Sequence, residues 1–264
     1  MIILITGISS GFGLAMARRL SDDGHIVYGT VRRDVEQLPG VHYLKADVRS
    51  ETDARAAVKS VIDAEGRIDV LINNAGMGVG GPAEFIPEED IRLQMDTNFM
   101  GQVHFCKAVL PYMRSQRSGK ILCFSSIGGV MGLPFQAFYS ASKFAVEGFA
   151  EGLQIETAKM GIKIILIEPG DFATGFTSAR RKSLSEEALE AYPKVLDSVR
   201  SFENDEKSGL KPEYLAGRIS RIVACKNPKF RYRIATFIQK LSLPLKVILP
   251  GRTFSRMIGW FYKQ

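Results

Sequence analysis

Apolar runs rich in β-branched residues alternate along this chain with longer segments of helical period, and this alternation is the feature that most constrains its fold. Such alternation is typical of β-α-β units, in which successive strands are parallel and share one sheet. The runs predict strands at 2–6, 26–31, 41–45, 69–73, 119–125 and 162–168, with a weaker one near 231–236. The segments between them predict helices at 12–23, 51–65, 88–114, 137–160 and 212–225.

The predicted fold class is therefore α/β, with a single Rossmann-type, doubly wound parallel sheet of about seven strands and helices on both faces. No linker, internal repeat or low-complexity stretch divides residues 1–264, so we expect one domain. Region 171–211 interrupts the alternation and is predicted as a substrate loop or lid, because loops at the carboxyl ends of parallel strands surround ligands. The tail 236–264 is predicted as a basic C-terminal extension of short amphipathic helices, broken at Pro244 and Pro250.

Composition excludes several function classes. A chain with 45% apolar and 24% charged residues is an ordinary globular protein, not a disordered, collagen-like or disulfide-scaffold one. Its three cysteines and three histidines are scattered, so we expect no metal site, and reduced thiols in a cytoplasmic protein. The apolar N-terminal run has no basic segment before it and is predicted as a strand rather than a signal peptide. No apolar run is long enough for a membrane-spanning helix.

Charge is unevenly distributed along the chain, whose net charge is +7. Residues 214–264 contain eleven Lys and Arg and no Asp or Glu, whereas residues 1–213 contain 24 Lys and Arg and 28 Asp and Glu. The tail also carries the aromatic residues Phe230, Phe237, Phe254, Trp260, Phe261 and Tyr262. This combination allows peripheral contact with an anionic membrane surface, and it equally suits a tail that only covers an apolar patch of the fold. No nucleic-acid-binding motif accompanies the charge, so we expect no nucleic-acid partner.

A glycine-rich turn follows the first predicted strand directly and precedes a helical segment. Glycines let the chain turn tightly and let a diphosphate approach the backbone, while the helix N-terminus offers unpaired N–H groups. Such a turn can also merely connect two elements, but its position between strand and helix favours a dinucleotide site. The predicted cofactor-binding residues of this turn are Gly7, Ser9, Ser10, Gly11, Phe12 and Gly13.

The residue type at the end of the second predicted strand distinguishes proteins that prefer NAD from those that prefer NADP. A protein that prefers NAD usually has an acidic side chain there, which holds the ribose hydroxyls. In this chain Val31 is followed by Arg32 and Arg33. A guanidinium can hold the 2′-phosphate of NADP with two hydrogen bonds, whereas a carboxylate would repel it. We therefore predict NADP(H) as the cofactor, with Arg32 at the phosphate; the alternative is a solvated charge at a strand end.

Tyr139 and Lys143 are four residues apart at the start of a helical segment, so their side chains can point into one cleft. A free phenol has a pKa of about 10. We expect the nearby ammonium to draw the pKa of Tyr139 toward neutrality, which would make it an effective proton donor and acceptor. Ser126 ends the fifth predicted strand, where its hydroxyl can hydrogen-bond a substrate oxygen. Each feature alone is common, but together they predict acid–base chemistry on that oxygen.

With these residues assembled, the sequence resembles the short-chain dehydrogenase/reductase family along almost its whole length. The resemblance implies an NADP(H)-dependent oxidoreductase that transfers a hydride between the nicotinamide and a carbonyl or secondary alcohol. The matching motifs are Thr6-Gly7-x-x-x-Gly11-x-Gly13, Asp47-Val48, Asn73-Asn74-Ala75-Gly76, Asn98, Ser126, Tyr139-x-x-x-Lys143 and Pro169-Gly170 with Thr174.

The resemblance also implies a role for each of these residues. Tyr139 would be the general acid/base, with Lys143 as its electrostatic partner and a ligand of the nicotinamide ribose. Ser126 would orient the substrate oxygen, and Asn98 would hold a water through which Lys143 relays protons. The further cofactor-binding residues that the resemblance implies are Asp47 and Val48 at the adenine, Asn74, Ala75 and Gly76 beneath the cofactor, Pro169 and Gly170, and Thr174 near the carboxamide.

Three runs, 28–32, 126–135 and 141–148, are similar to the 17β-hydroxysteroid and retinol dehydrogenase-like subgroup, in which Ser9 and Arg32 would meet the 2′-phosphate. This similarity implies a lipophilic substrate: a steroid, a retinoid, or a long-chain or aromatic ketone or aldehyde. Apolar residues in the predicted cleft loops agree with such a substrate, although they would equally pack the loops against the body. These residues are Met77, Val79, Met131, Leu133, Phe135, Phe138, Phe172 and Phe176.

Two alternatives come from other function classes. A non-catalytic NADP(H)-binding redox sensor would not need the Ser126, Tyr139 and Lys143 set. An epimerase or dehydratase-type relative would usually have a larger C-terminal region than this chain. Many relatives associate through helices equivalent to 99–114 and 137–158, so the sequence allows a homodimer or homotetramer.

Overall fold

The computed structural model describes residues 1–262. Its main sheet contains seven strands: β1 (Ile2–Ile5), β2 (Ile26–Val31), β3 (Val41–Lys45), β4 (Val70–Asn73), β6 (Gly119–Phe124), β7 (Ile162–Pro169) and β9 (Arg231–Ile234). A separate pair is formed by β5 (Val79–Gly80) and β8 (Arg181–Lys182). The order of the main sheet is β3-β2-β1-β4-β6-β7-β9, and every strand is parallel to its neighbours. The predicted α/β class and seven-stranded parallel sheet are confirmed.

Eleven α-helices accompany these strands within residues 1–262. The first five are α1 (Gly11–Asp22), α2 (Glu51–Glu65), α3 (Glu88–Met95), α4 (Gly101–Gln116) and α5 (Ala137–Thr157). The remaining helices are α6 (Phe176–Ala179), α7 (Glu186–Ala191), α8 (Val195–Lys207), α9 (Pro212–Ala224), α10 (Phe237–Ile248) and α11 (Gly251–Phe261). Among the helices of this part of the chain, none is both long and apolar enough to cross a membrane.

The sheet is covered on both faces, which explains its nearly continuous apolar strands. One core cluster packs side chains of α2, α4 and α5 against residues such as Leu4, Leu71 and Ile121. The other packs α1 and α9 against residues such as Ile3 and Ile72. Since the strand order runs outward in both directions from β1 and β4, the crevice at their carboxyl ends is where a ligand binds in sheets of this type.

The predicted helix over 88–114 is not one regular helix. A π-helical turn at Asp96–Met100 separates α3 from α4. The amide of Asn98, in the middle of that turn, is bonded to the backbone of Met77. Wide turns of this kind are frequent at functional sites, because they aim a side chain that a regular helix would direct elsewhere.

Region 171–211, predicted as a substrate loop or lid, contains α6, β8, α7 and α8, and its role stays a prediction. The prediction for the C-terminal tail needs one correction. The tail breaks at Pro250, as predicted, but α10 runs through Pro244 without interruption. Pro244 and Lys240 are both exposed, so water can satisfy the Lys240 carbonyl that the proline cannot bond. Lys263 and Gln264, the end of the predicted tail, lie outside the described residues, and the assignment of one domain to 1–264 stays a prediction.

Candidate active site

A cavity of about 790 Å³ lies at the carboxyl ends of the main-sheet strands. It runs from the glycine turn after β1, past the end of β6, to the C-terminal helices. Seventeen of the predicted site residues line it: Gly7, Ser9, Ser10, Gly11, Phe12, Arg32, Asp47, Val48, Asn74, Ala75, Gly76, Ser126, Tyr139, Lys143, Pro169, Gly170 and Thr174. The other two, Gly13 and Asn98, lie behind its wall.

The glycine turn is held by backbone and amide hydrogen bonds. Gly7 has a φ of 72° and Gly11 a φ of 54°, which glycine adopts without strain. A Cβ on Gly13 would lie 2.0 Å from the carbonyl oxygen of Gly7, so only glycine fits at this position. The side-chain nitrogen of Asn74 donates to the carbonyl oxygens of Thr6 and Gly7, at 2.9 and 3.0 Å. The turn is therefore rigid and free of side-chain bulk where it faces the cavity.

The N-terminus of α1 offers donors to an anion. The helix begins at Gly11, and the side chain of the preceding residue, Ser10, makes no capping hydrogen bond. The first N–H groups of a helix have no partner within the helix, and the helix dipole is positive at this end. The turn and the helix N-terminus thus fit the diphosphate of a dinucleotide, because both shape and donors are in place.

The end of β2 carries two exposed arginines, Arg32 and Arg33, and both line the cavity. The nearest acidic residue of the predicted adenine region, Asp47, is paired with Arg49, whose guanidinium lies 2.5 Å from the carboxylate. The hydrogen bond from Arg49 is the main cause that lowers the pKa of Asp47, with a smaller contribution from Arg32. This corner of the cavity therefore carries an excess of positive charge, which suits a phosphate.

Tyr139 lies on the cavity wall in the first turn of α5. Desolvation by the surrounding protein raises the pKa of the phenol to about 12, and a hydrogen bond from Ser126 acts in the opposite direction. The Ser126 hydroxyl also accepts a hydrogen bond from the N–H of Gly128 at 3.1 Å, which fixes its position after β6. The Tyr139 ring lies against Phe176 of α6, with the two ring centroids 5.8 Å apart.

Lys143 is buried beneath Tyr139, and its ammonium nitrogen lies 5.9 Å from the centre of the tyrosine ring. This nitrogen donates to the carbonyl oxygen of Phe124 at 2.9 Å. Burial lowers the pKa of Lys143 to about 8, while the carboxylate of Glu147 acts in the opposite direction. Tyr139 and Lys143 thus share one face of α5, as predicted from their spacing.

The expected effect of Lys143 on the phenol is wrong for this arrangement. The pKa of Tyr139 is raised, not lowered, because desolvation outweighs the favourable contributions, which come from Ser126 and Arg180. The ammonium points toward the end of β6 rather than toward the phenol oxygen. Consequently Tyr139 is a protonated hydroxyl at neutral pH, ready to donate.

Asn98 is held behind the cavity by three contacts. Its side-chain oxygen accepts from the N–H of Met77 at 2.8 Å, and its nitrogen donates to the Met77 carbonyl at 2.9 Å and to the Ser142 hydroxyl at 3.0 Å. The carbonyl of Asn98 accepts from Gln102, which also donates to the Phe124 carbonyl that Lys143 contacts. The side chains of Asn98 and Lys143 both approach Gly76, although no direct bond joins them.

Sequence reasoning missed the groups behind Lys143. Glu147 follows Lys143 by four residues on α5 and is only 6% exposed. It is paired with Arg231 of β9, at 2.5 Å, and Arg231 also contacts the fully buried Glu168 of β7. The spacing Tyr139–Lys143–Glu147 was a usable signal, since it places three titratable groups on one helical face. The partner Arg231 left no local signal, because it lies 84 residues further along the chain.

Sequence reasoning also missed an acidic group on the opposite wall. Asp171 and Glu206 both line the cavity. The Glu206 carboxylate is paired with Arg180 and accepts from the Thr177 hydroxyl at 2.5 Å, while Asp171 accepts from Gln239 of α10. Burial, with the charge of Glu206, raises the pKa of Asp171 to about 7. Two carboxyl groups thus face one buried guanidinium.

The apolar residues predicted at the cleft divide into two groups. Met77, Met131, Leu133, Phe172 and Phe176 line the cavity. The other three do not line it: Val79 is buried, Phe135 packs against the cluster around Val195, and Phe138 is half-buried outside the cavity. Within the described residues, no group of three or more His, Cys, Asp and Glu side chains is arranged to hold a metal ion.

The family model and the similar proteins point to the same family. The family model described as short chain dehydrogenase matches residues 1–185. The 3-ketodihydrosphingosine reductase of Bacteroides thetaiotaomicron is 50% identical over 262 residues, which cover 99% of this chain and 97% of that protein. Retinol dehydrogenase 8 of Bos taurus is 32% identical over 271 residues, which cover 94% of this chain and 86% of that protein.

Solved structures agree with these relatives. A short-chain dehydrogenase from Streptomyces avermitilis has a TM-score of 0.83 at 28% identity, over 98% of this chain and 95% of that chain. The closed form of serine dehydrogenase complexed with NADP+ has a TM-score of 0.76 at 25% identity, over 90% of this chain and 96% of that chain. The family and subgroup that the motifs indicated are confirmed by these similarities.

Proposed function

Because the chain belongs to the short chain dehydrogenase family, we propose that it is an NADPH-dependent reductase of a long-chain ketone that carries an amino group beside its carbonyl. 3-Ketodihydrosphingosine, in the name of the 50% identical relative, is such a compound. One observation carries the proposal: a single cavity joins the glycine turn, the Tyr139 and Ser126 hydroxyls, and an apolar wall with two carboxyl groups.

The preference for NADP(H) rests on the charge at the end of β2. Arg32 and Arg33 border the cavity there, and Asp47 is paired with Arg49. A 2′-phosphate would gain charge-assisted hydrogen bonds from these guanidinium groups. Ser9 of the glycine turn borders the same corner and would supply a hydroxyl. The NADP+ in the similar serine dehydrogenase supports the same choice.

When bound, the nicotinamide would supply the hydride that forms the new C–H bond at the carbonyl carbon. Ser126 and Tyr139 would hold the carbonyl oxygen, and Tyr139 would give its proton to that oxygen as the C=O π bond breaks. A phenol whose pKa is about 12 is protonated at neutral pH, and the alkoxide that forms is a much stronger base. Tyr139 is therefore in the protonation state that ketone reduction requires.

Lys143 would restore the proton to Tyr139. Its pKa of about 8 is close enough to neutrality for the amine to give and take a proton during turnover. The resemblance to the family assigns Asn98 to the water on this path, and both side chains approach Gly76. Lys143 would also hold the nicotinamide ribose, and Thr174 would lie at the carboxamide.

The substrate class rests on the wall opposite the glycine turn. Met131, Leu133, Leu245, Met257 and Ile258 line this part of the cavity and would surround an alkyl chain. Asp171 and Glu206 border the same space, with Arg180 as their buried counter-ion. An ammonium group beside the ketone would compensate the second carboxylate. A steroid or retinoid has no such group, so the carboxyl pair favours an amino ketone among lipophilic carbonyls.

The test is NADPH oxidation against a set of carbonyl compounds, with the product identified by mass spectrometry. We expect the largest kcat/KM with 3-ketodihydrosphingosine, a smaller value with a long-chain ketone that lacks the amine, and little turnover of sugars. If small polar sugars outcompete every apolar ketone, the substrate class is wrong. If NADPH binds but no carbonyl is reduced, a non-catalytic NADPH-binding role replaces the enzymatic one.

Self-association through α4 and α5 stays a proposal. Tyr112 of α4 and Phe144 and Ile155 of α5 are large apolar side chains exposed on these helices. Burying them against a second copy would be favourable, since exposed apolar area is removed from water. Analytical ultracentrifugation of the wild type and of Ile155→Arg measures this directly, and a monomer in both cases contradicts it.

A further inference from the structure

Exposed apolar side chains are concentrated on α10 and α11. Within residues 1–262, thirteen large apolar side chains are exposed, and seven of them belong to these two helices: Phe237, Ile238, Leu241, Val247, Ile248, Trp260 and Phe261. Val247 is 86% and Trp260 81% exposed. Concentrated apolar exposure on one segment marks an interaction site rather than ordinary surface variation.

The two helices are not loosely attached. Leu243 of α10 and Phe254 and Ile258 of α11 are buried against Ile127 and Met131, in the loop that follows β6. The exposed residues Phe237, Leu241, Pro244 and Ile248 of α10 are spaced by four, three and four, so they form one outer stripe. One face of the helix thus anchors it to the fold, while another presents apolar side chains to the outside.

The second helix adds positive charge to this surface. Arg252, Arg256 and Trp260 of α11 are all exposed and four residues apart, so they share one face. Lys240 of α10 is exposed as well. Among the described residues neither arginine contacts a carboxylate, and the sequence has no Asp or Glu after Glu213. A helix with basic and aromatic residues outside is typical of one that lies in a membrane interface.

The same residues form the mouth of the cavity. Ile238, Leu241, Trp260 and Phe261 are exposed, yet they also line the cavity that contains Tyr139. The apolar outer surface is therefore continuous with the apolar interior wall. We propose that α10 and α11 dock on an anionic lipid bilayer and that the cavity opens into that bilayer, so that a lipid ketone enters without crossing water.

The positive charge of α10 and α11 favours an anionic bilayer, rather than a second copy of the chain, as the partner of this surface. A two-fold contact would bring the same surface of two molecules together, so the positive charge of Lys240, Arg252 and Arg256 would face an equal positive charge. Like charges at an interface are unfavourable, whereas anionic headgroups neutralise them. Docking itself does not depend on the reaction, but substrate entry from the bilayer rests on the function proposed above.

Trp260 makes the docking directly measurable, because it is the only tryptophan of the sequence. With vesicles that contain phosphatidylglycerol and phosphatidylcholine, we expect the full-length protein to float with the lipid. We also expect the Trp260 emission to shift to shorter wavelength and to be quenched by brominated lipid chains. Binding to pure phosphatidylcholine should be at least about tenfold weaker, and high salt should reduce binding to the anionic vesicles, since it screens exposed charges.

Two variants test the assigned surface. Arg252→Gln with Arg256→Gln should weaken partitioning about thirtyfold, given the contribution of each basic side chain near an anionic surface. Phe237→Ser with Ile248→Ser should weaken it through lost apolar insertion. The matched controls are Lys159→Gln with Lys163→Gln for charge and Tyr214→Ser for exposed apolar area, and both should bind as the wild type does. Thermal unfolding confirms that each variant is folded.

The outcomes separate docking from catalysis. Vesicle binding without any change in Trp260 emission, or equal loss in the control variants, overturns the assigned surface. No binding to anionic vesicles overturns the proposal even if the enzyme reduces soluble ketones. Binding without ketone reduction supports docking and removes the proposed function. If both hold, the arginine variant should lose kcat/KM only for ketone presented in vesicles, not for a short, water-soluble ketone.

Discussion

The wall of the cavity at the ends of β1 to β4 is held by short polar contacts to the backbone, whereas the opposite wall, within residues 171–262, is held by apolar packing and ion pairs. In the first wall, the Thr6 hydroxyl accepts from the N–H groups of Asn74 and Ala75, each at 3.0 Å. In the second, Arg180 lies between Phe176 and Phe202, 5.4 and 4.7 Å from their ring centres, and pairs with Glu206.

This difference has a physical reason. A dinucleotide presents the same diphosphate whatever the substrate, so its wall needs fixed backbone geometry, which only particular residues allow. A lipophilic substrate needs area and a few placed charges, which many residue combinations provide. We call the wall at the ends of β1 to β4 the cofactor wall and the wall within residues 171–262 the substrate wall. Single substitutions in the cofactor wall should therefore impair its function severely, whereas substitutions in the substrate wall should change the substrate preference.

Tyr139, where the two walls meet, gives the largest expected effect. Tyr139→Phe removes the proton donor but keeps the ring against Phe176, so kcat for ketone reduction should fall about a thousandfold or more. NADPH affinity, measured by fluorescence titration, should stay nearly unchanged. Tyr112→Phe, which removes a phenol hydroxyl from the surface of α4, is the control and should have wild-type kcat. Substantial turnover by Tyr139→Phe would show that another group supplies the proton.

The cofactor wall is tested next by Arg32→Asp. The change replaces a proposed phosphate ligand with a repelling carboxylate, so the ratio of kcat/KM with NADPH to that with NADH should fall about a hundredfold. Arg114→Asp, the same charge change on the exposed surface of α4, should leave the ratio unaltered. An unchanged ratio in Arg32→Asp would assign 2′-phosphate recognition to Arg33 or to neither arginine.

The two walls also differ in how far the sequence predicts them. Gly7, Gly11, Gly13 and Asn74 are adjacent to strands whose pattern is unmistakable, and their geometry depends on local backbone requirements. The parallel order of the sheet follows from the same pattern. The π-helical turn at Asp96–Met100 was not predicted, because no residue type marks it and the tertiary contacts of Asn98 define it.

The polar contacts of the substrate wall were not predicted, because they join residues that are distant in sequence. Asp171 pairs with Gln239, 68 residues further on. The pair of Arg231 and Glu147, behind Lys143, likewise spans 84 residues. No periodicity connects such residues. The pKa of Tyr139 was misjudged for a related reason: spacing gives the neighbour on the helix, whereas burial depends on the whole fold and dominates here.

Substitution of two glycines should change the free energy of unfolding by different amounts, which compares the glycine turn with the loop after β6. Gly13→Ala places a Cβ 2.0 Å from the Gly7 carbonyl oxygen, so the free energy of unfolding should fall by about 2–3 kcal/mol. Gly132→Ala, in the loop after β6, meets no atom within 4 Å and should change it by less than about 1 kcal/mol. Urea unfolding with a constant m value gives both numbers. A tolerated Gly13→Ala would mean that the turn can relax.

The groups behind Lys143 predict a pH dependence. The ammonium faces Tyr139 and Glu147 on α5, and Glu147 in turn faces Arg231 of β9 and Glu168 of β7. Since the pKa of Lys143 is about 8, its charge is present below that pH and is lost above it, and kcat/KM for reduction should fall accordingly. Glu147→Gln removes a charge that raises this pKa, so the alkaline limb should move to lower pH.

The control for that shift is Glu151→Gln, which removes a carboxylate that also contacts Arg231 but is 58% exposed. Its profile should match the wild type. A purely structural role of Glu147 would lower activity at every pH and leave the position of the limb unchanged. An identical limb in Glu147→Gln and wild type would therefore separate Glu147 from the tuning of Lys143.

The smallest expected effect concerns the substrate wall. Asp171→Asn should raise KM for the amino ketone about fivefold to tenfold, the loss expected for one partly buried ion pair, and leave KM for a ketone without the amine unchanged. Asp197→Asn, on the exposed side of α8, is the control. The pKa of Asp171 is raised to about 7, so its charge is absent below that pH and present above it. KM of the wild type for the amino ketone should then decrease as pH rises through 7, and this decrease should vanish in Asp171→Asn. The same decrease in both proteins would exclude Asp171 as the group that binds the ammonium, and the difference between the two walls would then rest on one carboxylate fewer.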